Sequence, residues 1–209
     1  MTQPRRALVL VDIQNEYFDG PVEIQYPPRN EALAAIIDAI TIAGDHNIPV
    51  AVIRHELPEG APVYAAGSQG AQLHPEIAEL VQADWQQTSK VFASVFADTD
   101  LEEWVREQEV DTITLVGFMT NNCIIGSAVG AESLGLQVEV LSDATGAVDI
   151  SNAAGSVDAK TLHTALLAVL HSNLAAVTDT TSWRTAVENK VAVPGGNLVE
   201  SALDGRRQN

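Results

Sequence analysis

Short runs of apolar, mostly β-branched residues recur along this chain and alternate with longer segments of helical periodicity. Runs such as "ALVLVDIQ" and "DTITLVGF" are apolar without a polar face, which is typical of strands buried on both faces of a sheet. A sheet of that kind needs helices packed on both of its faces. The alternation therefore predicts an α/β fold built around a mostly parallel sheet.

The pattern predicts six strands and five helices. Strands are predicted over residues 7–14, 48–55, 89–96 (a short strand and turn), 111–118, 136–145 and 174–183, the last leading into a short helix. Helices are predicted over residues 30–47, 75–81, 98–110, 121–135 and 156–173. The Pro- and Gly-rich segment 56–74 is expected to be a long loop. We find no repeat and no second core, so we expect one domain over 1–209, with its core at about 5–185 and a tail at 189–209 that frays or packs on a partner subunit.

Composition limits the partners that this chain can have. It carries 11 Lys and Arg against 28 Asp and Glu, for a net charge of −17, and such a surface repels nucleic acid and anionic membrane. Its one cysteine cannot form an internal disulfide, which suits a reducing compartment. Its apolar runs are too short for a signal-peptide core or a membrane span. We therefore expect a cytoplasmic protein without nucleic-acid or membrane partners.

Three reactive side chains lie at predicted strand ends, where parallel sheets bind their ligands. Asp12 interrupts an apolar run, so its carboxylate is either functional or a cap for the next segment. Lys90 is one of only three lysines, against eight arginines. A lysine can act as a compact buried cation, and the alternative is a surface lysine at a strand edge.

Cys123 lies in "VGFMTNNCIIGSA", where a predicted strand becomes a helix. The free N–H groups and the dipole of a helix N-terminus lower the pKa of a thiol, which favours a thiolate nucleophile at this position. The alternative is a small buried side chain, which is the common role of a free cysteine.

Together, the segments "LVLVDIQNEYF", "KVFASVF", "DTDLEEWV", "LVGFMTNNCIIGSA" and "VLSDAT" resemble the isochorismatase-like cysteine hydrolases, which include nicotinamidases and several amidases. The resemblance covers roughly residues 5–185. It implies a three-layer α/β/α sandwich (Rossmann-like) around a six-stranded, mostly parallel sheet. It also implies a catalytic triad of Asp12, Lys90 and Cys123. A cis peptide at Phe118–Met119 is implied as well, with an oxyanion hole formed by the backbone N–H groups of Met119 and Cys123.

The chain departs from the metal-binding nicotinamidases after the second strand. Those enzymes carry an Asp-x-His pair there, whereas "IRHELPEG" places Arg54 and Glu56 at the two positions. His55 and His74 alone do not form a usual ligand set. We therefore expect no metal and no other cofactor, and nicotinamidase itself is disfavoured. Arg54 is expected either to receive a substrate carboxylate or carbonyl or to form an ion pair with Glu56 or Asp12.

The predicted function is metal-independent hydrolysis of the C–N bond of a small amide or imide through a thioester on the cysteine. Family members that hydrolyse the vinyl ether of isochorismate often lack the cysteine, so its presence favours C–N hydrolysis. A vinyl-ether hydrolase and a non-catalytic binding member of the fold are the alternatives. The resemblance further implies a homodimer or homotetramer.

Several other residues have predicted roles near the site. His163 is expected to be a satisfied helix histidine rather than a partner of the cysteine. Asp143 is expected to cap or orient the loop beside Cys123. The candidate substrate-binding residues are Asn15, Phe18, Arg54, His55, Tyr64 and Thr120.

Overall fold

The computed structural model describes residues 3–208, and a six-stranded parallel sheet forms its centre. In chain order the strands are β1 (Arg6–Val11), β2 (Val50–His55), β3 (Gln86–Lys90), β4 (Thr112–Phe118), β5 (Gln137–Gly146), β6 (Ile150–Asn152), β7 (Gly155–Val157) and β8 (Ala176–Thr178). The sheet has the order β3-β2-β1-β4-β5-β8, and all of its neighbouring strands run parallel. Strands β6 and β7 form a separate antiparallel hairpin that the sequence pattern did not predict.

Helices cover both faces of the sheet, which confirms the predicted three-layer α/β/α architecture. They are α1 (Arg29–Asp45), α2 (Pro75–Ala78), α3 (Leu101–Glu107), α4 (Ile125–Glu132), α5 (Ala159–Val169), α6 (Thr180–Glu188) and α7 (Leu198–Gln208). Apolar residues of α1 and α6 pack with Leu8 and Leu10 on one face. Residues of α3 and α4 pack with Ala7 and Val9 on the other. Both faces of β1 are therefore buried, which explains its unbroken apolar sequence.

The third predicted strand and the predicted tail differ most from the observed elements. The strand predicted over 89–96 is instead β3, because an edge strand is half exposed and its sequence "QQTSK" carries no apolar pattern. The apolar segment after Lys90 leaves the sheet and packs against α4, where a side chain at Gly126 would meet Ala93 at 2.9 Å. The tail forms α7, which buries no residue of its own.

Among residues 3–208, no helix is both long enough and apolar enough to cross a membrane.

A buried ion pair joins the sheet to the segment that follows α6. Arg6 on β1 donates to both carboxylate oxygens of Glu139 on β5, with distances of 2.7 to 3.2 Å, and to the Val191 carbonyl at 2.7 Å. Thr114 and Trp183 donate to the same carboxylate at 2.9 and 2.8 Å. Because each charge is surrounded by partners, this pair avoids the cost of burying a charge alone.

We expect Glu139→Gln to lower the free energy of unfolding by about 3–5 kcal/mol, because it leaves the Arg6 guanidinium buried without a counter-charge. Urea unfolding monitored by circular dichroism would measure the change. Glu102→Gln is the matched control, since it removes an exposed i,i+4 partner of Arg106 and is expected to cost no more than about 0.5 kcal/mol. Equal losses in the two variants would contradict the role assigned to the buried pair.

Candidate active site

Four polar side chains meet at the carboxyl edge of the sheet. Asp12 follows β1, His55 ends β2, Lys90 ends β3, and Cys123 lies just after β4. Strands β1 and β4 are neighbours at the point where the strand order reverses, which is where open parallel sheets form their ligand crevices. The structure therefore brings together all three residues predicted for the triad, with His55 as a fourth member.

The ammonium group of Lys90 contacts each of the other three side chains. Its Nζ lies 2.6 Å from Asp12 Oδ2, 3.1 Å from His55 Nδ1 and 3.2 Å from Cys123 Sγ. The Lys90 and Asp12 side chains are fully buried. An ammonium group has three N–H donors, so these contacts use all of them.

The same three partners form a set of O, N and S donors within 4.8 Å of one another, a combination that could hold a metal ion. Lys90 Nζ lies within hydrogen-bonding distance of every member of this set. A positive charge of the protein thus already lies beside all three of these potential ligand atoms.

Asp12 keeps one carboxylate oxygen without a protein partner. Its Oδ2 accepts from Lys90, whereas its buried Oδ1 has no hydrogen bond within the described chain. The residue adopts a left-handed backbone conformation with a φ of 51°, which Asp tolerates better than most residues. This conformation ends β1 at Val11, three residues before the predicted end of the strand.

The segment from Gly117 to Cys123 places the thiol close to β1. Gly117 has a φ of 106°, and a Cβ there would lie 2.1 Å from the Val11 carbonyl oxygen, so only glycine fits. The Phe118–Met119 peptide is cis, as the family resemblance implied. The Met119 carbonyl then accepts from the N–H groups of Asn122 and Ile124 at 3.1 and 3.0 Å. Cys123 therefore lies in a π-helical turn over Thr120–Ile124, ahead of α4.

The pKa of the Cys123 thiol is raised to about 12, chiefly because the group is buried. The negative charge of Asp12 raises this pKa further, and the charge of Lys90 offsets only part of the increase. The sequence-based expectation of a lowered pKa is therefore wrong, because desolvation and the Asp12 charge outweigh the Lys90 cation. At neutral pH the resting group is a thiol beside a carboxylate.

His55 is held neutral by its surroundings. Burial and the neighbouring charge of Lys90 both lower its pKa. The buried side chain of Gln14 forms two hydrogen bonds with the His55 backbone. It donates to the His55 carbonyl and accepts from the His55 N–H, both at 2.8 Å. Sequence reasoning missed this role of Gln14, although a polar residue within "LVLVDIQ" was a signal that could have indicated it.

The other predicted substrate-binding residues have diverse surroundings. Asn15 donates to the Gln69 carbonyl at 3.0 Å and lines a cavity of about 340 Å³ together with Tyr64. The Tyr64 ring also lies 5.0 Å from the ring of His55, although none of the four site residues lines this cavity. Phe18 is buried in the core against Phe118. Its predicted contact with substrate stays a prediction.

Arg54 forms neither of the ion pairs that the sequence suggested, since Lys90 is the partner of Asp12 and no described acid pairs with Arg54. It precedes His55 on β2, so the two side chains lie on opposite faces of the sheet. Arg54 is therefore on the face away from Lys90, and this placement gives no support to its predicted substrate contact.

The Thr120 hydroxyl is already engaged by a buried histidine. It lies 2.9 Å from His163 Nδ1, and His163 Nε2 lies 3.1 Å from the Ser142 carbonyl. His163 is thus a satisfied helix histidine and not a partner of the thiol, as predicted.

Asp143 accepts from the N–H and hydroxyl groups of Thr180. Asp143 thus binds the first residue of α6, whose N-cap is Asp179. This placement gives no support to the expectation that Asp143 orients the loop beside Cys123.

Residues 6–182 match the Isochorismatase domain. This chain belongs to the isochorismatase family. A protein from Burkholderia xenovorans LB400, described as a candidate isochorismatase, has a crystal structure that matches with a TM-score of 0.96 and 39% identity over 99% of both chains. The family and its fold therefore agree with the sequence-based resemblance, and the chain is assigned to a family of hydrolases.

Two curated relatives are more distant. The secreted isochorismatase effector Isc1 of Verticillium dahliae is 30% identical over 145 residues, which cover 69% of this chain and 74% of the effector. The nicotinamidase/pyrazinamidase of Mycobacterium tuberculosis is 27% identical over 173 residues, covering 73% of this chain and 92% of that protein.

We expect iodoacetamide to alkylate Cys123 slowly at pH 7.5, with a rate that still rises above pH 9, where an ordinary thiol of pKa about 8.5 is already ionised. Asp12→Asn removes the charge that raises the thiol pKa and leaves the Lys90 cation in place. This variant should react roughly tenfold faster at pH 7.5. Intact mass measures the rate directly, because the chain has a single cysteine.

Asp38→Asn is the control for that experiment, since it removes one negative charge from the surface of α1 and should leave the rate unchanged. An Asp12→Asn protein that reacts no faster than this control would show that the carboxylate does not hold the thiol in its protonated form.

Proposed function

We propose that this isochorismatase-family protein is a metal-independent cysteine hydrolase that cleaves the C–N bond of a small amide or imide. One observation carries the proposal. The Lys90 ammonium bridges the Cys123 thiol and one oxygen of Asp12, while the second Asp12 oxygen is buried without a partner. A nucleophile, a free base and a fixed cation thus lie together at the edge where this fold binds ligands.

In the first step, the Cys123 sulfur attacks the amide carbonyl carbon while Asp12 takes the thiol proton. The raised pKa of the thiol means that proton transfer must accompany the attack, because little thiolate exists beforehand. The Lys90 ammonium, 3.2 Å from the sulfur, stabilises the negative charge that develops there. In this proposal, the backbone N–H groups of Met119 and Cys123 receive the oxyanion.

In the second step, the C–N bond breaks and the protonated Asp12 donates its proton to the leaving ammonia or amine. This leaves a thioester on Cys123. Asp12 then removes a proton from a water molecule that attacks the thioester carbon. The C–S bond breaks, Asp12 returns that proton to the Cys123 sulfur, and the carboxylic acid leaves. One carboxylate thus takes up and gives back one proton in each half of the reaction, which is consistent with its one unpartnered oxygen.

Two features support this reaction over others in the family. Lys90 lies among the side chains that could otherwise hold a metal, and this favours chemistry without one. The relatives that are named as nicotinamidases, including the 27% identical protein of Mycobacterium tuberculosis, suggest amide substrates.

We expect Cys123→Ala to abolish ammonia release from a panel of small amides, with a loss of at least about a thousandfold in turnover. The wild-type protein incubated with a substrate of the panel should show an acyl adduct on Cys123 by intact mass. Thermal unfolding serves as the control, because replacing one buried thiol should leave the variant folded.

Each alternative gives a different outcome in this experiment. Turnover retained in Cys123→Ala would point to a reaction without a thioester, such as vinyl-ether hydrolysis. An unreactive wild-type protein across the panel would favour a non-catalytic binding role.

A further inference from the structure

We propose that His55 is a positioning residue of this site, anchoring Lys90 through Nδ1 and receiving a second acceptor atom of the substrate through Nε2–H. The contact with substrate rests on the proposed amide hydrolysis, whereas the anchoring of Lys90 does not. The proposal also names a substrate class, namely small amides that carry another hydrogen-bond acceptor besides the scissile carbonyl.

The position of His55 is determined from several directions. It pairs in register with Lys90 across β2 and β3, which places the two side chains on one face. Its backbone is held by both ends of the Gln14 amide at 2.8 Å, and its ring packs 5.0 Å from that of Tyr64. A ring held this firmly can keep Nδ1 at 3.1 Å from the ammonium and so fix the direction of the other two Lys90 N–H groups.

The contact with Lys90 determines the tautomer of His55. An ammonium group can only donate, so Nδ1 must accept, and a neutral ring then carries its proton on Nε2. No residue in 3–208 accepts a hydrogen bond from Nε2. The Nε2–H group is therefore a hydrogen-bond donor without a partner in the described residues.

His55 is also the member of the group that is most exposed. It keeps 9% of its surface accessible, compared with 0% for Asp12, 2% for Lys90 and 1% for Cys123. Lys90 has no N–H left for a substrate. When a substrate displaces water, an unpaired Nε2–H costs binding energy unless the substrate supplies an acceptor. His55 is thus the group of the four that can select for such an atom.

The first test uses three variants and needs no substrate. His55→Asn keeps an acceptor oxygen near the position of Nδ1, His55→Gln keeps a donor near Nε2, and His55→Leu keeps neither. Without the anchor, the ammonium is less well held as the counter-ion of the thiolate. Alkylation of Cys123 by iodoacetamide at pH 9 should therefore slow roughly three- to tenfold in the Gln and Leu variants. His55→Asn should react like the wild type, and three equal rates would overturn the anchoring role.

The second test measures how amides protect Cys123 from alkylation. The three pyridinecarboxamide isomers carry a ring-nitrogen acceptor at different positions, and benzamide is their matched analogue without it. In the wild type, at least one isomer should protect at a concentration about tenfold or more below that of benzamide. His55→Asn should lose this preference and His55→Gln should retain it. A wild type without the preference, or an Asn variant that keeps it, would overturn the substrate contact.

The two tests separate this proposal from the proposed function. If no amide of the panel is hydrolysed but the His55 variants change alkylation as expected, amide hydrolysis is overturned and the anchoring of Lys90 stands. If amides are hydrolysed and His55→Leu leaves both alkylation and kcat unchanged, the role of His55 is overturned and the hydrolase stands.

Discussion

The site depends on one buried ammonium group. Lys90 brings its charge to a place where water is excluded, and a charge in such a place must be surrounded by acceptors. Asp12, His55 and Cys123 supply one acceptor each, from the ends of β1 and β2 and the turn after β4. The positions of three neighbouring strand ends are thereby tied to a single atom, and the reactive groups are held at hydrogen-bonding distances before any substrate arrives.

The same burial determines the protonation state of the thiol. A cation at 3.2 Å favours a thiolate, whereas loss of water and a carboxylate favour the thiol, and the second pair of effects is larger here. In the proposed mechanism the base therefore has to act during the attack, as it does in a Ser–His pair. In that mechanism, the unpartnered oxygen of Asp12 is the atom that accepts the thiol proton.

The lysine ammonium also lies among O, N and S atoms of the kinds that bind metals in proteins. A metal would fix several ligands by coordination geometry, whereas an ammonium fixes three acceptors by hydrogen bonds and carries one charge instead of two. Two further contacts hold the site in place. The Gln14 side chain forms two hydrogen bonds with the His55 backbone. Gly117 has no Cβ, which allows the end of β4 to approach β1 closely.

The sequence by itself determined the fold class, because short apolar runs rich in β-branched residues are typical of strands covered on both faces. It also indicated Asp12, Lys90 and Cys123, since each stands out chemically at a predicted strand end, and the family resemblance joined them. It placed β3 wrongly, because an edge strand carries no apolar signature, and it missed the hairpin β6–β7 and helix α7.

Only the tertiary structure decided the rest of the site. Whether Cys123 is a thiol or a thiolate depends on how much water three packed elements exclude, which no local pattern records. Whether Asp12 pairs with Arg54 or Lys90 depends on the face that each strand residue occupies after the sheet forms. The contact of His55 with Lys90 likewise depends on the register of β2 with β3. Parallel pairing of these strands brings together two residues that are 35 positions apart in the chain.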